Sequence, residues 1–148
     1  MKDPPDDHDA VSRQLGRPPS PFRVADRCPF GLPSVIENEQ TRNMPTRFWI
    51  TCSSLDRAIA RLESAGSVRS AQEEVGEVTV EEVHAEHLAR YGTRVAGVRE
   101  GGHVKCLHAF TALHLSGAVT NAVAGWTLQR LQEPYPEGAC CTAEGSQT

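Results

Sequence analysis

The spacing of apolar positions changes along the chain, and each change marks an element. From Val24 to Thr51 they come in short runs broken by turn residues: Val24–Cys28, then Pro29-Phe30-Gly31-Leu32-Pro33, then Ser34–Glu37, and after a polar loop Thr46–Thr51. Short runs joined by turns predict a small antiparallel meander. Side chains alternate along a strand, so Phe48 and Ile50 share one face and Arg47, Trp49 and Thr51 the other. From Leu55 onward the period is helical, with Leu55, Ala58, Ile59, Leu62 and Ala65 recurring until Gly66, behind Ser53 as N-cap and Asp56 three residues later. A polar linker follows. Thr79 and Glu82 then form a capping box that opens a second helix ending near Gly92. Its inward stripe reads Val80, Val83, His84, His87, Leu88 and Tyr91, with Glu81, Glu82, Glu86 and Arg90 outward. A third helix, from about His103 to Ser116, is apolar nearly all round and suits a central position. A loop through Gly117 and Asn121 leads to a last short helix carrying Trp126, Leu128 and Leu131, stopped by Pro134.

These elements predict an α+β fold, a short antiparallel β meander packed on three to four helices with the Val104–Leu115 helix central. The 148 residues fit one hydrophobic core. Residues 1–22, rich in Pro, Asp and Arg, read as a flexible N-terminal arm with at most a short helix from Asp9 to Leu15. Residues 23–132 read as the single domain and 133–148 as a disordered tail.

Composition narrows the setting. The five cysteines, Cys28, Cys52, Cys106, Cys140 and Cys141, are odd in number and irregularly spaced, which argues against a secreted disulfide scaffold. The acidic, proline-containing start lacks the basic and apolar regions of a signal peptide, so a reducing cytoplasm is the expected location. Residues 106–129 carry no formal charge, yet His108, His114, Asn121 and Gln129 fall among them, and a buried helix fits better than a membrane span. The net charge of -4 divides unevenly, with an Arg-rich segment at 11–70 and an acidic one at 71–148. Few aromatics accompany the arginines and none alternates with them, which argues against a nucleic-acid face.

Several motifs in register carry a family resemblance. Gln14-Leu15-Gly16-Arg17-Pro18, Arg27-Cys28-Pro29-Phe30-Gly31-Leu32-Pro33, Pro45-Thr46-Arg47-Phe48-Trp49-Ile50-Thr51-Cys52, Leu62-Glu63-Ser64-Ala65-Gly66 and Val104-Lys105-Cys106-Leu107-His108 follow one another over residues 10–131. In this order they resemble the bacterial, mostly actinobacterial, domain-of-unknown-function family 501. The resemblance implies no activity, and it suggests an accessory of cell-envelope or phosphate metabolism by genomic neighbourhood alone. In the second helix His84 matches the family's histidine, whereas His87 stands where the family has Tyr. Leu113 stands where it tends to have a second His, with His114 beside it.

Two chemical readings compete for these residues. Thiolate and neutral imidazole are ligands that zinc prefers, so Cys28, His84, Cys106 and His108 form a candidate metal site, with His87 sharing the face of His84. Residues two apart on a regular helix diverge by about 200°, so Cys106 and His108 can act together only if the helix begins after Cys106. Alternatively, Cys106 is a nucleophile near a helix N-terminus beside Lys105, with His108 or His84 as base. Against both stands a structural reading: the thiols are small buried hydrophobes and the histidines hydrogen-bonded core groups. Gly101-Gly102, before the third helix, could also cradle an anion through free backbone N–H groups. The absence of a complete catalytic constellation favours a non-enzymatic structural or partner-binding accessory domain, with an unidentified protein as its partner.

Overall fold

The computed structural model describes residues 7–131. The elements in chain order are α1 (Asp7–Leu15), β1 (Phe22–Arg27), β2 (Pro33–Asn38), β3 (Phe48–Ile50), α2 (Ser53–Ser64), α3 (Ser67–Val75), α4 (Glu77–Tyr91), a 3₁₀ turn (Val95–Gly97), α5 (Leu107–Leu115) and α6 (Ala122–Arg130). The fold is α+β. Its single sheet is an antiparallel meander in the order β1-β2-β3, with Ile36 opposite Val24 on one side and Trp49 on the other.

Strand β2 explains the layering. Val35 and Ile36 are both fully buried although adjacent residues point to opposite faces, so the sheet is covered on both sides. Phe48, Ile50 and Val35 face the main core, which α5 centres: Leu107, Ala109, Phe110, Thr111, Ala112 and Leu113 are all buried on it. Helix α5 packs on α6, β3 and α2. The other face is covered by α1, whose Ala10 and Val11 are buried and which packs on β2.

That packing places residues 7–15 of the expected arm in a helix against β2. Arg27 holds Asp7 through two bonds of 2.8 and 3.1 Å, and Gln14 Nε2 donates to the Pro33 carbonyl at 2.7 Å. Residues 1–6 of the expected arm and the expected tail at 133–148 lie outside the described residues.

Three further expectations change. The polar linker contains helix α3, held by a narrow Val68, Ala71, Val75 stripe of which Ala71 is fully buried. Leu88 is 40% exposed instead of inward. The buried face of α4 centres on Val80, His84 and His87, and Leu88 lies about 80° round the helix from Val80. Helix α5 begins at Leu107 and not at His103, because Cys106 is extended and serves as N-cap, its sulfur accepting from the Ala109 N–H at 3.4 Å.

Aromatic and ionic contacts join sheet and helices. Tyr91 meets Phe48 and His87 edge-on, and the Arg47 guanidinium stacks 4.4 Å over the Tyr91 ring. Glu37 accepts from Arg23 and Arg47 across the same end of the sheet. Burial alone would raise its carboxyl, but the two guanidinium hydrogen bonds outweigh it and hold the group below its ordinary range.

Candidate functional site

The four sequence candidates fall into different surroundings. Cys28 sits in the turn between β1 and β2, nearly fully buried; its N–H donates to the Leu32 carbonyl at 2.9 Å and its sulfur accepts from the Phe30 N–H at 3.4 Å. It is a packed turn residue. His84 is fully buried on α4, its Nε2–H donating to the His103 carbonyl at 2.6 Å and its Nδ1 accepting from the Val95 N–H at 3.1 Å. Both nitrogens are spent on backbone, which leaves no lone pair for a metal or a proton. Burial lowers the pKa of His84, so it stays neutral. His87 behaves alike: its Nδ1–H donates to the Thr93 carbonyl, and burial lowers its pKa.

Cys106 and His108 do come together. Starting α5 at Leu107 frees Cys106 from the helical spacing, and both residues line one cleft of about 220 Å³ between β3 and the first turns of α2 and α5. Thr46, Phe48, Trp49 and Ile50 form its β3 wall, and Asp56 and Ala109 complete the opposite side. Asp56 belongs with Glu63, two helical turns further along α2. His108 bridges them: Nε2 lies 2.8 Å from Asp56 Oδ1, and Nδ1 lies 3.1 Å from Glu63 Oε1. The second oxygen of Glu63 accepts from the Leu107 N–H at 2.7 Å and so caps α5.

The electrostatics follow from this geometry. Burial of His108 would lower its pKa, but the Asp56 hydrogen bond and the charges of Glu63 and Asp56 outweigh it and hold the ring at about 9. At neutral pH it is an imidazolium between two carboxylates, a cluster of net charge -1. Cys106 shifts upward. Burial dominates, and the Glu63 charge adds to it against the helix N–H groups and Lys105. The thiol therefore remains protonated.

This arrangement does not assemble the expected zinc ligands. Among the described residues no group of three or more His, Cys, Asp or Glu side chains is placed to hold a metal ion. The thiol-nucleophile reading fails on the same geometry, since His108 has both nitrogens on carboxylates and is already protonated. At Gly101-Gly102, where backbone N–H groups could cradle an anion, acidic side chains of α4 lie close by. A Cβ on Gly101 would fall 1.2 Å from Glu81 Oε2, and one on Gly102 would fall 2.7 Å from Glu77 Cγ.

From the sequence, Asp56 reads only as part of the helix N-terminus and Glu63 only as a motif position. Their seven-residue spacing, which stacks them on one face, was the available signal. Asn121 was likewise read only as a loop residue. It caps α6 by accepting from the Ala124 N–H at 2.8 Å, its side-chain amide donates to the Phe110 carbonyl, and its backbone N–H donates to His114 Nδ1 at 3.0 Å.

Fold and cleft thus define a small α+β domain with a sealed sheet and one mixed polar and apolar cleft at the edge of β3. A family model described as "Protein of unknown function (DUF501)" matches residues 24–94 and 72–129, and the chain belongs to that family. No curated protein and no solved structure matches the chain. Among the described residues no helix is long and apolar enough to cross a membrane.

Proposed function

We propose that the chain is a non-catalytic, partner-binding accessory domain acting in the cytoplasm, with the cleft between β3, α2 and α5 as its recognition site. One observation carries the reading: the titratable groups of the cleft are engaged with one another. His108 is fixed through both nitrogens, and the thiol beside it is held protonated. What the cleft offers a ligand is an apolar wall and the half-exposed Asp56 carboxylate, which is itself bonded to His108.

Iodoacetamide labelling of Cys106 at neutral pH, followed on its own peptide by mass spectrometry, tests the proposal. The folded protein should label at least about tenfold more slowly than the unfolded chain. Labelling faster than in the unfolded chain, and lost in His108→Gln, would replace this reading with a thiolate–imidazole pair.

A further inference from the structure

The uneven charge of the chain takes spatial form on two surfaces that share no residue with the β3 cleft. The first is basic. A cleft of about 230 Å³ lies between the later turns of α2 and the end of α6, with Ala58, Leu62 and Leu131 as its apolar lining and Arg61 and Arg130 beside them. Arg130 is held in place: its guanidinium carbon lies 3.9 Å from the Trp126 ring centre, Nη1–H donates to the Trp126 carbonyl at 2.9 Å, and Nη2 stands 3.4 Å from Glu74. Arg61 is exposed and meets no carboxylate among the described residues. Arg57, one turn earlier on α2, donates only to the Ser53 carbonyl.

The second surface is acidic. Helix α4 buries Val80, His84 and His87, and on its opposite side Val78, Ala85 and Ala89 fall within about 40° of one another at 3.6 residues per turn. Val78 is 74% exposed, more than any other large apolar side chain among the described residues. Glu82 stands one turn from Val78 on the same side, and Glu77 precedes it. Both are exposed, and neither meets a basic side chain among the described residues.

An exposed valine beside unpaired carboxylates and an apolar slot between two guanidinium groups are complementary in hydropathy and in charge. We propose that the α2–α6 cleft takes α4 of a second copy of this chain: Val78 of the second copy enters between Arg61 and Arg130 of the first, against Leu62 and Leu131, and Glu82 pairs with Arg61. The contact is small, so the association is weak and reversible and falls with salt. An acidic segment of another protein would meet the same arginines, but this chain itself carries the required helix, and each copy displays both surfaces.

Sedimentation velocity of the whole chain, over a concentration series reaching the millimolar range, tests the proposal, with circular dichroism to show that each variant is folded. The unaltered chain should associate, and raising salt from about 0.05 M to about 0.5 M should weaken the association about tenfold or more. Arg61→Glu and Glu82→Arg should each remain monomeric, and an equimolar mixture of the two should associate again, because the exchanged charges face one another. Val78→Ser, at a position exposed enough to leave folding intact, should weaken association about fivefold or more. An unaltered chain that stays monomeric throughout the series would overturn the proposal and leave the cleft to a different acidic partner. Association retained by both charge variants would overturn it as well. So would monomeric variants whose mixture stays monomeric, since Arg61 and Glu82 would then not meet.

Discussion

His108 on α5 and Asp56 on α2 stand 2.8 Å apart, and the bond fastens the first turn of one helix to the first turn of the other. Glu63 grips the opposite ring nitrogen, so the charged form of His108 holds two helices in register.

This clamp has a pH dependence of known sign. The native ring titrates at about 9 and the unfolded ring near 6.5, so its stabilisation is complete below about 6.5 and is lost as pH rises through about 9. A shift of this size corresponds to at most about 3 kcal/mol, and the exposure of Asp56 reduces the expected share to about 1–2 kcal/mol. Thermal unfolding between pH 6 and 10 should show stability falling toward the alkaline end. In His108→Gln that limb should flatten; an unchanged slope would remove the clamp from the account.

The acid side should behave oppositely through His84 and His87. Both have native pKa values pushed down by burial, so the unfolded chain takes up protons first as pH falls below about 6.5, and stability drops. Denaturant melts at pH 7 and pH 5 should give a lower midpoint at pH 5, and His84→Leu should be affected less by the change.

At neutral pH, His84→Leu should cost about 2–4 kcal/mol, since it leaves the Val95 N–H and the His103 carbonyl without their partner in the interior. Urea denaturation measures this directly. A cost below about 1 kcal/mol would mean that these backbone groups find other partners.

Gly97 and Gly117 separate backbone strain from packing. Both have positive φ, but a Cβ on Gly97 would lie 2.5 Å from Pro45 Cβ, whereas one on Gly117 meets nothing within 4 Å. Gly117→Ala should cost about 1 kcal/mol and Gly97→Ala about 2 kcal/mol or more. Equal losses in chemical denaturation would mean that the 95–97 turn shifts freely away from Pro45.

Glu63 and His108 should couple. A double-mutant cycle with Glu63→Gln and His108→Gln should show an interaction of about 1 kcal/mol, because each substitution alone disables the same contact. Additive losses would assign the role of Glu63 to its cap on Leu107 alone.

The strong periodicities were legible in the sequence: the meander, helix α2, the inward histidines of α4 and the central α5. What escaped notice was weakly periodic or set by tertiary contact. Helix α3 rests on a stripe of three small or medium side chains among six polar or charged ones, too thin to distinguish from a linker. The α5 boundary was invisible because Val104 and Cys106 continue the apolar pattern. The bond from the Val104 N–H to Gln72 Oε1, across the fold, and the cap at extended Cys106 set it. At the site, Cys106 and His108 were legible as residue types, but the partners that decide their chemistry come from α2. No local pattern says that Asp56 and Glu63 meet the same imidazole.

Helix α1 determines how the domain would come apart. Its hold on the sheet consists of two buried side chains, the Gln14–Pro33 hydrogen bond and a partly exposed ion pair worth less than about 1 kcal/mol. Its detachment is among the least costly openings of the fold, and it would uncover Ile36, buried at the middle of β2. Nine residues therefore separate a sealed sheet from an adhesive one, and clipping them away would make aggregation the first consequence, ahead of unfolding.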